Sequence, residues 1–357
     1  MSHRILIVDD SSYARRALRN MTEEILGTCE FHYAGTGDEG LALAFRMRPN
    51  LIFLDLEMPR MDGFTFLRLL MAKQPAPVII VSSRDDRQSI LKALELGALD
   101  FVAKPTRQTS TRIYELVDLL RDKLKAIEAA RFPTPAPRPT AVEKAADTML
   151  PETKQIPFVH SEPRRLIAIG ASTGGPGTLN NILGSLKLHE DVALVIVQHM
   201  PPGFTEAFAQ RLDRVLPFPV REIRNLDRID AGSAYVCPGG FNCEVSRGRD
   251  LRFRLREPDE TTRFVPSIDV FFRSVAGVFG GAATGVVLTG MGNDGAEGGV
   301  EMAAAGARLI AEDPSTALVN GMPAALVASG AASHVYHADT IAGALGQWQL
   351  GLLGRGG

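Results

Sequence analysis

Arg165-Leu-Ile-Ala-Ile-Gly170-Ala-Ser-Thr-Gly-Gly175 is an isoleucine-rich apolar run that stops at a glycine and turns through a serine set between small residues. The run reads as a buried strand, and Thr178-Leu-Asn-Asn-Ile-Leu183 has the spacing of a helix. Gly170-x-Ser172-x-Gly174 therefore lies where the chain passes from strand to helix. That is the setting of a nucleophile elbow, whose glycines tolerate tight dihedrals and hold the Ser172 hydroxyl clear of the backbone. Amides at the start of the helix suit a developing oxyanion. On its own the motif leaves a phosphate-cradling or merely tight turn equally open.

Downstream of Arg164 the alternation of strand and helix continues. Strands are predicted at residues 192–198, 234–236, 251–255, 285–288 and 309–311, and helices at 205–215, 268–279, 296–305 and 340–353. Residues 234–255, broken by Pro238-Gly-Gly240, read as an antiparallel insertion. Upstream, short apolar strands at 5–8, 51–54, 78–81 and 101–102, with a weaker one at 30–33, alternate with amphipathic stretches at 13–26, 40–45, 63–72, 89–95 and 114–127. This pace argues for a doubly wound parallel sheet, so both halves are α/β. Between them Arg131-Phe-Pro-Thr-Pro-Ala-Pro-Arg-Pro139 and the polar stretch to Pro163 show no periodicity. They read as a linker whose ends, over about 35 flexible residues, would sit on the order of 35 Å apart. The expected division is 1–125, a linker at 126–163, and 164–353.

Two domains also suit a chain of 357 residues, which is long for one core. With 45% hydrophobic and 22% charged residues the composition is that of a soluble globular protein. A net charge of −2 argues against a nucleic-acid or acidic-membrane binder. No apolar run has the length of a membrane span, and the first residues, meeting Asp9-Asp10 after four apolar ones, do not read as a signal peptide. Three cysteines make no disulfide framework, and Cys237 and Cys243 lack the further ligands of a zinc site. A reduced, cytoplasmic protein is expected, with no membrane insertion.

In the first domain Asp9 and Asp10 end one predicted strand, Asp55 the next central one and Ser82 the one after, while Lys104 follows the last. Strand carboxyl ends of an open parallel sheet share one ligand-binding edge. Three carboxylates there repel one another unless a hard cation such as Mg²⁺ is bound. Such a cation makes Asp55 a nucleophile toward phosphate, with Ser82 and Lys104 placed to bind the acyl phosphate. Each residue taken singly reads as a helix cap or solvated acid; together they point to chemistry.

Asp9-Asp10, Asp55 in Leu-Asp-Leu-Glu-Met-Pro, Ser82-Ser83 and Lys104-Pro105 resemble a response-regulator receiver domain. The resemblance implies phosphorylation of Asp55 by a histidine kinase, Mg²⁺ held by Asp9, Asp10 and Asp55, and a switch aromatic at Phe101. It also implies a cis peptide at Lys104–Pro105.

Ser172 needs a base. His3 and His32 belong to the first domain, His160 to the linker, His189 to a polar loop, and His334 and His337 to a core or edge segment. His199 follows Val192-Ala-Leu-Val-Ile-Val197 and so ends a strand, as Ser172 does; a lone structural histidine is the competing reading. A carboxylate to orient it is offered by Asp294, after the strand and glycine turn Gly285-Val-Val-Leu-Thr-Gly-Met-Gly292, where a simple helix N-cap competes. The order Ser, His, Asp departs from that of the α/β-hydrolases. No helix-turn-helix or basic cluster supports a DNA-binding output, and a non-catalytic scaffold would not require all three groups.

Ile-Gly-Ala-Ser-Thr-Gly-Gly175, Gln198-His-Met-Pro-Pro-Gly-Phe204, Pro266-Ser-Ile-Asp-Val270 and Leu288-Thr-Gly-Met-Gly-Asn-Asp-Gly295 resemble the bacterial chemotaxis protein-glutamate methylesterases. The resemblance implies a Ser172, His199, Asp294 triad, with Thr173 and Met291 lining the site and helping to bind the oxyanion. It implies hydrolysis of glutamate methyl esters on chemoreceptors, deamidation of receptor glutamines as a companion activity, a chemotaxis histidine kinase as phosphodonor, and inhibition of the esterase until Asp55 is phosphorylated. No cofactor is expected in the esterase domain. Asn242 stands where such proteins commonly carry histidine, a departure expected to touch only contacts with the receptor or the receiver.

Overall fold

The computed structural model describes residues 3–82, 86–104, 110–130, 161–259 and 263–351. The chain forms two compact units, Met1–Pro139 and Thr140–Gly357. Among the described residues no helix is long and apolar enough to cross a membrane.

In the first unit β1 (His3–Val8), β2 (Cys29–Ala34), β3 (Leu51–Asp55), β4 (Val78–Ser82) and β5 (Asp100–Ala103) form a parallel sheet in the order β2-β1-β3-β4-β5. Helices α1 (Ser12–Leu26), α2 (Gly37–Met47), α3 (Gly63–Lys73), α4 (Arg87–Glu95) and α5 (Ser110–Ala129) alternate with the strands. The runs Ile5–Val8, Leu51–Leu54 and Val78–Val81 are buried throughout, as central strands covered by helices on both faces must be. β2 is the weak signal in the sequence because it is an edge strand, with only Ala34 fully buried. The order places the carboxyl ends of β1 and β3 side by side, which brings Asp9 next to Asp55.

The second unit carries β6 (Arg165–Ala171), β7 (Val192–Gln198), β8 (Val220–Glu222), β9 (Ala234–Val236), β12 (Ala283–Val287), β13 (Arg308–Glu312) and β14 (His334–Tyr336) in one sheet, ordered β14-β13-β12-β6-β7-β9-β8. Every pairing in it is parallel. The helices are α6 (Gly175–Ser185), α7 (Phe204–Val215), α8 (Ile268–Phe279), α9 (Ala296–Ala304), α10 (Met322–Ala328) and α11 (Ala338–Gln349).

The antiparallel insertion is narrower than the sequence pattern implies. Ala234–Val236 belongs to the main sheet, paired in parallel with β7, and only β10 (Asn242–Arg247) and β11 (Leu251–Arg256) form the antiparallel hairpin. β9 is buried on both faces, whereas the hairpin strands alternate and lay one face on the core. The three-residue β8 and the seven-residue α10 are too short to show periodicity in the sequence.

The quoted stretch is the centre of this sheet. β6 lies between β12 and β7, so the loops carrying Asp294, Ser172 and His199 leave three neighbouring strands at the same edge.

Candidate active site

Ser172 follows the last residue of β6, and its backbone is tied on every side. Its amide donates to Thr289 O (3.0 Å), and its carbonyl accepts from the Gly175 amide (2.8 Å) and Gln198 Nε2 (2.9 Å). Positive φ is taken not by the serine but by Gly174, at +80°, where a Cβ would lie 2.9 Å from Leu318 Cδ1. The elbow is thus bent at the glycine, and Pro176 sits in the first turn of α6 behind it.

His199 occupies the equivalent position on β7: Ala171 and Gln198 are register partners, and the His199 amide donates to Ala171 O (3.0 Å). Its Nε2 lies 2.8 Å from Asp294 Oδ2. An ionised carboxylate only accepts, so Nε2 is the donor of this bond. The imidazole stacks on Phe264, with ring centroids 4.8 Å apart and planes 3° from parallel. Ser172 Oγ makes no hydrogen bond among the described residues, and none joins it to His199.

Asp294 is 3% exposed and accepts four hydrogen bonds. Besides His199, Oδ2 accepts from the Ile268 amide (2.8 Å), while Oδ1 accepts from Ser267 Oγ (3.1 Å) and the Asp269 amide (2.9 Å). The amides belong to the start of α8, where the helix dipole favours an anion. Burial pushes the carboxyl upward, but the bonds from His199 and the two amides outweigh it and hold Asp294 below the usual carboxylate range. Asp294 is therefore both a cap and the partner of His199, but the helix it caps is α8 and not the α9 that follows it in sequence.

Asn242 does not stay out of this network. It is buried, and its Oδ1 accepts the Ser267 amide (3.0 Å), the residue whose hydroxyl donates to Asp294. The expectation that it touches only partner contacts is corrected: its short amide reaches inward from β10. Gln198, Phe264 and Asn242 all flank or lie inside the motifs quoted above, yet nothing local marks their roles.

Thr173 is buried, and its carbonyl accepts Thr289 Oγ1 (2.9 Å). Met291 is half-buried and follows Gly290, which lies against Ser172: a Cβ there would meet Ser172 Cβ at 2.8 Å.

In the first unit the ligand oxygens of Asp9, Asp10 and Asp55 lie within 4.8 Å of one another. Asp9 and Asp55 are buried and Asp10 is exposed. Lys104 Nζ stands 2.5 Å from Asp55 Oδ2 and 3.3 Å from Asp9 Oδ2, and Asp9 Oδ2 has no hydrogen bond of its own. Burial and the neighbouring Asp55 charge raise the Asp9 carboxyl above its ordinary value. This acidic cluster, with two of its carboxylates buried, has the donor chemistry of a divalent-cation site. Ser82 is buried at the end of β4, and its carbonyl accepts the Lys104 amide (2.8 Å). Phe101 is buried on β5 with the Lys123 ammonium 5.6 Å from its ring centre. The expected cis peptide involves Pro105, which lies outside the described residues.

The CheB methylesterase family matches residues 167–345, and the response regulator receiver domain family matches residues 5–116. The chain is 39% identical over 350 residues to protein-glutamate methylesterase/protein-glutamine glutaminase 3 of Geobacter sulfurreducens, covering 94% of each. It is 40% identical over 343 residues to protein-glutamate methylesterase/protein-glutamine glutaminase 1 of Myxococcus xanthus, covering 96% of this chain and 95% of the relative. The crystal structure of the Thermotoga maritima CheB methylesterase catalytic domain is 33% identical with a TM-score of 0.50, covering 53% of this chain and 99% of that one. The chain belongs to the CheB family of protein-glutamate methylesterases, with an amino-terminal response-regulator receiver domain.

Proposed function

We propose that this protein is a phosphorylation-controlled serine esterase that hydrolyses glutamate methyl esters on chemoreceptors, with Ser172, His199 and Asp294 as its triad. The observation that carries this reading is the 2.8 Å His199–Asp294 hydrogen bond at the sheet edge where Ser172 emerges. With Asp294 on Nε2, the nitrogen left to act as base is Nδ1. It takes the Ser172 proton as Oγ attacks the ester carbonyl, and Asp294 stabilises the imidazolium. The Ser172 amide is engaged by Thr289, so backbone donors near Thr173 and Met291 receive the oxyanion; losing such a donor typically costs about 3 kcal/mol. The imidazolium protonates departing methoxide, releasing methanol. A water deprotonated by the same Nδ1 then hydrolyses the acyl-serine to glutamate. With a glutamine side chain as substrate the identical sequence releases ammonia, in line with the paired activities in the relatives' names.

In the receiver, Asp9, Asp10 and Asp55 fit Mg²⁺, as their closely spaced carboxylate oxygens support. When bound, the cation neutralises charge on the transferring phosphoryl oxygens. Asp55 accepts the phosphoryl group from a chemotaxis histidine kinase, Lys104 pairs with it, and Ser82 and Phe101 respond. We read 1–125 as receiver, 126–163 as linker and 164–353 as esterase, in a cytoplasmic protein whose receiver inhibits the esterase until Asp55 is phosphorylated.

The test is methanol release from methylated receptor membranes, with and without a small phosphodonor. Release that rises with phosphodonor and vanishes in Ser172→Ala is expected. Release that survives Ser172→Ala would exclude the triad.

A further inference from the structure

Thr289, fully buried just beyond β12, is the hub of the nucleophile turn. Its carbonyl accepts the Ser172 amide (3.0 Å), and its hydroxyl donates to Thr173 O (2.9 Å) and accepts from the Val319 amide (2.9 Å). The one polar group of Thr289 that faces away from these partners is its amide, which donates to Glu312 Oε2 at 2.7 Å.

Glu312 ends β13, the strand next to β12, and is 1% exposed. Thr316 Oγ1 donates to the Asp313 carbonyl (3.2 Å), and Glu312 Oε1 is left buried without a hydrogen-bond partner. A buried carboxyl is costly to ionise, and burial raises its pKa to about 7 although the Thr289 amide and the Thr316 hydroxyl act to lower it. A group kept there at such a cost, accepting the amide of the hub residue at 2.7 Å, acts on that turn.

We propose that Glu312 is a positioning residue for the esterase, holding the Thr289 peptide so that Ser172 Oγ and the oxyanion donors beside it stay in register. This rests on the triad reading above. The link runs Glu312 carboxylate to Thr289 amide, and from Thr289 to the Ser172 amide and the Thr173 carbonyl. Glu312 touches no reacting atom, so its removal loosens geometry without altering receptor binding.

The test uses the full chain with phosphodonor and methylated receptor membranes, comparing wild type, Ser172→Ala, Glu312→Met and Glu312→Gln. Methionine fills the space without an acceptor, whereas glutamine keeps one. Glu312→Met is expected to lower kcat about 100-fold with KM unchanged, the size typical of a small misplacement of reacting groups. Glu312→Gln is expected to restore kcat to within about tenfold of wild type, a neutral acceptor being weaker than an ionised one. A folded Glu312→Met with wild-type kcat, beside an inactive Ser172→Ala, would overturn the proposal and leave the triad standing. Activity surviving in Ser172→Ala would instead remove the triad reading and this proposal with it. Should Glu312→Met fail to fold, Glu312→Gln decides alone: a folded variant that loses more than about tenfold in kcat overturns the role assigned to the acceptor.

Discussion

Asp294 and Asp269 exchange helix caps. Asp294, at the entry to α9, accepts the Ile268 and Asp269 amides that open α8, and Asp269 Oδ1 accepts the Gly295 and Gly298 amides that open α9 (2.9 and 2.7 Å). The exchange fixes the two helix starts to each other and aims Asp294 at His199. It also sets two carboxylates close together: burial and the Asp294 charge push Asp269 up to about 6 despite its backbone donors.

The two acids should respond differently to the same change. Asp294→Asn would present an amide donor to His199 Nε2, reversing the tautomer and placing the proton on Nδ1. kcat should fall by about 10⁴-fold. Asp269→Asn keeps an oxygen for the Gly295 and Gly298 amides and removes the repulsion, so kcat should stay within about tenfold. Single-turnover methanol release on both variants checks this; equal losses would mean Asp294 acts only as a cap.

Glu312 gives the esterase unit a signed pH dependence. Its pKa is about 7 in the folded chain against an ordinary 4.5, so the folded state holds its proton more tightly. Folding is therefore favoured below pH 4.5, and this contribution is lost as pH rises toward 7. Glu312→Gln should remove that loss and gain stability relative to wild type between pH 5 and pH 8, by at most roughly 3 kcal/mol. Trp348, the single tryptophan, is buried in α11 and reports on this unit alone in urea titrations at the two pH values. A wild-type-to-variant difference that does not change with pH would show that Glu312 does not titrate in this range.

Asn242→Ala should strand the buried Ser267 amide. A loss of about 1–3 kcal/mol in stability is expected from an unmet buried donor, accompanied by a lower kcat as the Ser267–Asp294 bond loosens. The same Trp348 titration paired with methanol release checks it. Unchanged values in both would return Asn242 to a surface role.

Asp55→Asn leaves the residues around Ser172 untouched but removes the proposed phosphoryl acceptor. Basal methanol release should persist while stimulation by a small phosphodonor disappears. Stimulation surviving in Asp55→Asn would place the phosphoryl group on another residue.

The strand ends were legible because the sequence announces them: an apolar run stops, and a residue with chemistry follows. Ser172, His199, Asp9 and Asp55 all stand at such places, Asp294 follows one across a glycine turn, and alternating strands and helices imply a parallel sheet whose carboxyl ends share an edge. The motifs at Ser172 and Asp294 carry their own glycine turns. These features depend on a few neighbouring residues, so they need no knowledge of which strands pair.

The tertiary structure alone decided how those ends combine. His199 and Asp294 are 95 residues apart and meet because β6 lies between β12 and β7, an order that periodicity does not encode. The pairing of Nε2 with Asp294, on which the proposal of Nδ1 as base rests, follows from that meeting. Asn242, Gln198, Phe264, Thr289 and Glu312 acquire their roles only through partners distant in the chain or exposed by its folding. Buried polar groups must find partners wherever packing places them, and packing is a property of the whole fold.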